Sequence, residues 1–482
     1  NGDGATDIVK STNNVSQVWL STGNGFVVVG PTSTDHFYGL NGKLALRDFD
    51  NDGKVDVLKF KGDDEPAVAY ALRFEAPENR FVGIGTNGKG AGLAGDFNGD
   101  GLPDFVVSKT DVMVSAPGAG NPNLLRMIKL ETGGTIAVEY TPSTRWTNGY
   151  LPQVLHAVTK LTANDGRGVI GTTDYAYSGG LYDPKARKFL GYETMKMTKP
   201  LAAGSTVRPV VTTTYRQDLA SYGLPLKTVW TFGSTVKKQV EEEYAVNLAA
   251  KPYRALNTAT KTTSTEGSVT LNQYVERGFD SFGNLGFTKD QGRVGAAGDE
   301  LLTRYYRVEP NTAKYIVSPQ RAVTVQSGFD TNSPYLSFVY YFYDNAATTT
   351  EAPKFGNLTR ERKLSQYNPD GVSVFSDTVH TYDPDNGNRL STTDGAGNKT
   401  KWEYDDAFQI FPIKEYAPKY FANGSLPADD RFVSTATFNP VCGQPASKKD
   451  WNGITQTYTY DPFCRPAQVT NGTTGYYTRT RY

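Results

Sequence analysis

Along most of this chain, apolar and polar residues take turns in short runs. Gly134-Thr135-Ile136-Ala137-Val138-Glu139-Tyr140 and Thr172-Thr173-Asp174-Tyr175-Ala176-Tyr177 alternate with a period of two. That period sends successive side chains to opposite faces of a half-buried strand. Ser16-Gln17-Val18-Trp19-Leu20 and Gly25-Phe26-Val27-Val28-Val29 are further strand-like stretches. Gly, Asn, Asp and Pro separate the runs and supply turn conformations. The pattern predicts an all-β protein.

Two repeats are superimposed on it. In the N-terminal part, Asp48-Phe49-Asp50-Asn51-Asp52-Gly53-Lys54-Val55-Asp56 and Asp96-Phe97-Asn98-Gly99-Asp100-Gly101-Leu102-Pro103-Asp104 share one pattern, with Asn1-Gly2-Asp3-Gly4-Ala5-Thr6-Asp7 as a truncated copy. Asp3, Asp52 and Asp100 are equivalent and lie 49 and 48 residues apart. Each copy leads into an apolar run. A period near 48 with about four short strands is the size of a propeller blade. Residues from about 120 to 270 are β-rich without a clear period.

In the C-terminal part, Tyr382-Asp383-Pro384 precedes Thr393-Asp394-Gly395-Ala396-Gly397-Asn398. Tyr404-Asp405, Phe438-Asn439-Pro440, Asp450-Trp451-Asn452-Gly453 and Tyr460-Asp461-Pro462 follow. Tyr382 to Tyr404 is 22 residues, as is Phe438 to Tyr460. Phe279-Asp280-Ser281-Phe282-Gly283-Asn284 is an earlier copy, and Tyr343-Asp344 opens a degenerate one. Alternation followed by an Asp/Asn-Gly turn predicts hairpins. One hairpin is marginal in water, so the units are expected to stack edge to edge and bury their aromatic residues together.

Composition supports this reading. The chain has 49 Gly, 30 Tyr and 24 Phe but only 4 Met and 3 His, which suits pleated surfaces and turns. Lys+Arg and Asp+Glu are equal at 50 each, so the positive excess expected of a nucleic-acid binder is lacking. No apolar run is long enough for a transmembrane helix. The chain opens inside a repeat, so no leader segment is expected to be legible in it.

The Asp-rich loops carry the only ligand chemistry. Asp48, Asp50, Asp52 and Asp56 place carboxylates at positions 1, 3, 5 and 9, with glycine at 6 and the Lys54 carbonyl at 7. Asp96, Asn98, Asp100, the Leu102 carbonyl and Asp104 repeat the arrangement, and Asn1, Asp3 and Asp7 keep part of it. Hard oxygen donors converging from one tight loop suit structural Ca2+. The plainer alternative is an Asx-rich turn without metal, against which stands the mutual repulsion of clustered carboxylates. The position-12 Glu of a helical calcium loop is absent, so these are loops between strands.

Cys442 and Cys464 each follow their unit's aromatic by four residues. Neighbouring units in register would allow a disulfide if the Cα atoms come within about 7 Å; the alternative is two small buried residues in adjacent turns. His36, His156 and His380 are scattered and suggest no catalytic centre. Tyr382, Tyr404 and Tyr460 fit a repeat core better than a carbohydrate platform. Asn398-Lys399-Thr400 is a sequon, relevant only in a glycosylating pathway.

The Asp-x-Asp/Asn-x-Asp-Gly-x-x-Asp loops resemble FG-GAP/VCBS repeats, and the Tyr-Asp units resemble YD/RHS repeats. Leu124-Leu125-Arg126-Met127-Ile128, Glu139-Tyr140-Thr141-Pro142-Ser143-Thr144 and Tyr182-Asp183-Pro184-Lys185-Ala186-Arg187-Lys188-Phe189-Leu190-Gly191-Tyr192-Glu193 resemble the middle region of toxin-complex B components and SpvB-type virulence proteins. The resemblance implies incomplete propeller-type blades over 1–118, a β-rich middle domain over 119–270 and part of a YD/RHS shell over 271–482. It further implies a secreted or surface-displayed, non-enzymatic bacterial scaffold that encloses a toxic C-terminal domain lying outside these residues. Its expected partners are other RHS or toxin-complex components and that cargo, with structural calcium as cofactor. The alternative function is a cell-surface adhesion protein of the wall-associated or teneurin-like kind.

Overall fold

The computed structural model describes residues 6–12, 15–22, 25–32, 44–47, 56–61, 68–75, 80–89, 94–102, 104–106, 112–114, 124–330, 332–368, 371–421 and 429–481. Among them the fold is all-β: helix is limited to Pro418–Phe421 and the short 3-10 turns Ser143–Arg145 and Asp430–Phe432. None of these is long and apolar enough to cross a membrane, which says nothing of strands. Two compact units are present. The first comprises Asn1–Glu241, Val246–Ala255 and Thr265–Gly267; the second comprises Glu242–Ala245, Leu256–Ser264 and Ser268–Tyr482.

The first unit begins with small antiparallel sheets. Ile8–Thr12, Val15–Ser21 and Phe26–Thr32 form one, and Leu44–Arg47, Asp56–Lys61, Val68–Glu75 and Arg80–Lys89 form a four-stranded meander of blade size. The short strands Ala94–Gly95, Asp104–Val106 and Val112–Met113 pair next. From Met127–Lys129 onward the strands pair antiparallel, each with the next long strand, through Thr135–Pro142, His156–Asn164, Ile170–Ser178, Thr194–Thr198, Pro209–Tyr215 and Pro225–Phe232. Arg208 staples this sheet. Its Nη1 meets Asp174 at 2.5 Å, Nη2 donates to the Thr172 and Thr198 carbonyls, and Nε donates to the Lys199 carbonyl. The planar guanidinium presents several donors in fixed directions, so one side chain satisfies acceptors from two strands and the residue after one of them.

The second unit is a row of antiparallel strands in chain order. Val269–Phe279, Leu285–Arg293, Leu301–Arg307, Gln320–Ser327, Tyr335–Tyr343, Leu358–Gln366 and Val374–Tyr382 lead into Arg389–Thr393, Lys399–Tyr404, Pro412–Tyr416, Val433–Asn439, Gln444–Lys449, Thr455–Tyr460, Pro466–Asn471 and Tyr477–Arg479. Burial follows the period of two: in Gln320–Ser327, Ala322, Thr324 and Gln326 are buried while the residues between them are half-buried. Gln326 is tolerated there because its Oε1 accepts from Arg304 and its Nε2 donates to the Ser333 carbonyl, leaving little unmet polarity. Leu302, Val308, Phe342 and Ala417 are among the buried apolar side chains of this unit.

A register slip recurs at one end of these hairpins. Phe279 faces Leu285, Tyr343 faces Leu358 and Tyr382 faces Arg389, each just past a one-residue shift in the ladder. Tyr404 faces Pro412, Phe438 faces Pro445 and Tyr460 faces Pro466 in the same way. The additional residue always lies on the outgoing strand: Gly286, Thr359, Leu390, Ile413, Ala446 and Ala467. Such bulges raise local twist and re-aim side chains. Proline fits opposite the aromatic because it sits at the mouth of a strand beside a bulge, where a ladder bond is already lost.

Candidate functional site: the Tyr-Asp turns and the Asp-rich loops

The two halves of the Tyr-Asp pair do different work. The tyrosine couples one hairpin to the one before it. Tyr404 Oη donates to the Arg389 carbonyl at 3.2 Å, Tyr460 Oη to Pro445 at 2.7 Å and Tyr343 Oη to Gln320 at 3.0 Å. Each accepting residue is itself the partner across the preceding hairpin's slip: Arg389 faces Tyr382, Pro445 faces Phe438 and Gln320 faces Arg307. A bulge in one hairpin thus presents a carbonyl to the tyrosine of the next. Burial pushes the Tyr343 phenol up to about 12, with Tyr341 adding to it, so it remains a protonated donor at ordinary pH. Phe438 has no hydroxyl, and its ring instead stacks on Phe411 at 4.8 Å.

Aspartates close the turns, Asp280 and Asp461 directly after the aromatic and Asp394 and Asp450 at the turn that leads to the next aromatic. Asp280 Oδ1 accepts from the amides of Phe282 and Asn284, Asp394 from Ala396 and Asn398, Asp450 from Asn452 and Ile454, and Asp461 from Phe463 and Arg465, all within 2.8–2.9 Å. Three residues after the aspartate, φ is positive: +88° at Gly283, +86° at Gly397, +80° at Gly453 and +60° at Cys464. This is the three-residue hairpin loop whose last position is left-handed. The Asn398 side chain and amides around the turn hold the Asp394 carboxyl below its ordinary range. A second loop type accepts at Asp383, Asn439 and Asn471, with Gly387, Gly443 and Gly475 in the left-handed position. The loop of Asn439 and that of Asp461 are joined by the Cys442–Cys464 disulfide, with Cα atoms 5.3 Å apart.

Of the three Asp-rich loops, only Asp96–Asp104 is described nearly throughout. Asn1, Asp3, Asp48, Asp50, Asp52 and Lys54 lie outside the described residues; Asp56 begins the strand Asp56–Lys61, and Asp7 Oδ1 accepts from the Ser21 amide. Asp96 accepts from the amides of Asp100 and Gly101, Asn98 Oδ1 from Asp100, and Asp100 Oδ1 from Leu102. Asp104 is 0% exposed and Oδ2 accepts from Phe97 and Asn98. Gly99 and Gly101 have φ of +72° and +83°. Among the described residues, no three His, Cys, Asp or Glu side chains are gathered closely enough to hold a metal. The donor types fit calcium nonetheless: Asp96, Asn98, Asp100 and Asp104 offer hard side-chain oxygens, each with more than one lone pair.

Sequence reasoning missed two features of this loop. Thr144 Oγ1 donates to the Gly99 carbonyl, and a Cβ at Gly101 would meet the His156 ring at 2.5 Å. No local signal links residues so far apart in the chain. His380 forms a cross-strand pair, its Nδ1 lying 2.8 Å from Thr392 Oγ1; burial, aided by Arg389, lowers its pKa.

Comparison with known proteins adds three findings. No curated protein matches the chain. Solved toxin-complex assemblies share the fold. The TcdB2-TccC3-Cdc42 crystal structure gives a TM-score of 0.56 at 12% identity over 98% of this chain. The Photorhabdus luminescens Tc holotoxin pore gives 0.56 at 13% over all of it. The chain spans about 30% of the length of each. Residues 1–58 match the FG-GAP-like repeat, and residues 72–222 match the middle/N-terminal region of the insecticide toxin TcdB.

Proposed function

We propose that this chain is a non-enzymatic structural part of a bacterial secreted toxin complex. Its hairpin row is one stretch of a shell around a toxic domain that lies outside these residues. The observation that carries the reading is the coupling between hairpins. Tyr-Asp units close their own turns, and Tyr343, Tyr404 and Tyr460 also bond to the preceding hairpin, which suits an extended wall better than a set of separate modules. The TcdB middle-region match between an FG-GAP-like stretch and the hairpin row supports the toxin-complex assignment.

In this reading the partners are other RHS or toxin-complex components and the cargo, met outside the producing cell or at its surface. Calcium braces the Asp-rich loops, held by Asp96, Asn98, Asp100, Asp104 and the Leu102 carbonyl. Lys54 and its neighbouring aspartates, and Asp3 with Asp7, serve the other two loops. The cation offsets carboxylate repulsion and stiffens the loop that Thr144 and His156 touch.

Limited proteolysis of the full-length protein tests the shell. The cargo segment is expected to survive protease doses that degrade it when expressed alone, and to become sensitive once the hairpin row is unfolded. Equal digestion rates with and without the shell would reject enclosure. Persistence of the toxin assembly without this chain would reject the scaffold role.

A further inference from the structure

We infer that Cys442 and Cys464 form a thiol–disulfide exchange site, a clasp between successive hairpin tips that small thiols open. The two cysteines belong to adjacent loops at the same end of the sheet, separated by 22 residues, which is one repeat. The bridge joins the hairpin of Val433–Asn439 and Gln444–Lys449 to that of Thr455–Tyr460 and Pro466–Asn471.

The placement of each cysteine is informative against its sister turns. Cys464 stands three residues after Asp461 with φ +60°, where Gly283, Gly397 and Gly453 occupy the matching positions. A side chain with a Cβ is disfavoured in that conformation, and cysteine is not among the residues that tolerate it best. Its value there lies in the sulfur, which is bridged to Cys442 in the neighbouring tip. Cys442 stands three residues after Asn439, where Asn386 and Thr474 occupy the matching positions of their loops. That position precedes a left-handed glycine in all three loops.

Access to the bridge follows from the loop tips. Val441, beside Cys442, is 88% exposed, and Phe463, beside Cys464, is 80% exposed. Both cysteines are half-buried. A thiolate of a small thiol attacks one sulfur, the S–S bond breaks, and the released cysteine sulfur takes up a proton. A second thiol then displaces the mixed disulfide. Two thiols are oxidised to one disulfide, and the bridge is reduced to two cysteine thiols. In thiol-poor surroundings the clasp fixes the spacing of the two hairpin tips; in thiol-rich surroundings it opens. Reduction leaves Cys464 in its left-handed turn without the tether, so that tip loosens first.

The test uses the intact wild-type chain. Isolated without reductant and denatured in a thiol-alkylating reagent, both cysteines are expected to resist labelling; after native incubation with millimolar reduced glutathione, both should label. Hydrogen exchange at amides within Thr455–Asn471 is expected to rise on the order of tenfold after reduction, while Lys399–Tyr404 stays unchanged. A Cys442→Ser, Cys464→Gly double variant should show no response to glutathione. Free thiols before reduction, a bridge that millimolar glutathione leaves intact, or unchanged exchange after reduction would each overturn the inference.

Discussion

The Tyr460 hydroxyl donates to the main-chain carbonyl of Pro445, 15 residues earlier and on the preceding hairpin, at 2.7 Å. Pro445 accepts that bond at the residue facing Phe438, where the ladder slips. Removing the hydroxyl leaves the carbonyl with a lost partner in a partly buried site. Tyr460→Phe is therefore expected to destabilise the second unit by about 1 kcal/mol, read as a lower midpoint in urea. The Phe438→Leu variant should also destabilise it, through the lost stacking on Phe411. If Tyr460→Phe unfolds at the wild-type midpoint, the hydroxyl does not couple the hairpins.

Gly397 isolates the backbone requirement of the turns. Its φ is +86°, and a Cβ built there meets nothing within 4 Å. Any cost of Gly397→Ala thus reports conformation and not crowding. The substitution is expected to cost about 1 kcal/mol, measured by thermal or urea unfolding. The comparison with Cys464, which holds the same position in its own turn, makes the cost of a side chain there directly measurable.

Glu403 makes stability depend on pH in the acid range. A hydrogen bond from Lys401, joined by those of Tyr416 and Lys414, brings its pKa from 4.5 to about 2 despite partial burial. The folded-state pKa lies below the unfolded one, so the contribution is complete above the unfolded value. It is lost as pH falls from about 4.5 through 2. Glu403→Gln should be less stable than wild type at neutral pH, with the gap closing across that window. A gap that does not change with pH between those limits would show that the charge has no part in stability. The carboxylate is about one-third exposed, so solvent screening keeps the effect small.

Calcium can be tested through linkage. A cation that binds only the folded state stabilises it by about 2.7 kcal/mol at a hundredfold excess over Kd, and so raises the unfolding temperature with concentration. Calcium is expected to raise the melting temperature of the wild-type chain, and chelator to lower it. Asp100→Ala, combined with Asp52→Ala in the sister loop, should abolish most of that response. An unchanged melting temperature across the titration would remove the metal from the Asp-rich loops.

The alternation of Gly134–Tyr140 and the Asp-Gly turns of the C-terminal part were legible from the chain because their causes are local. An aspartate and the amides it caps lie two to four residues apart, and a left-handed glycine needs no distant partner. The spacing of 22 residues likewise exposed the repeat and the matched positions of Cys442 and Cys464, but left open whether they are bridged. The oxygen-bearing side chains of the Asp96–Asp104 loop were legible as well, since they are written in the residue names.

What the chain alone could not decide are the partners that depend on register. Tyr404 meets Arg389, and Tyr460 meets Pro445, because each outgoing strand carries one extra residue and turns a carbonyl toward the next hairpin. The Thr144 bond to Gly99 and the Cys442–Cys464 contact likewise exist only once separate strands have taken their places. Turn chemistry is set over a few bonds of backbone, whereas lateral coupling is set by how whole strands align, and a slip of one residue would reassign every pair.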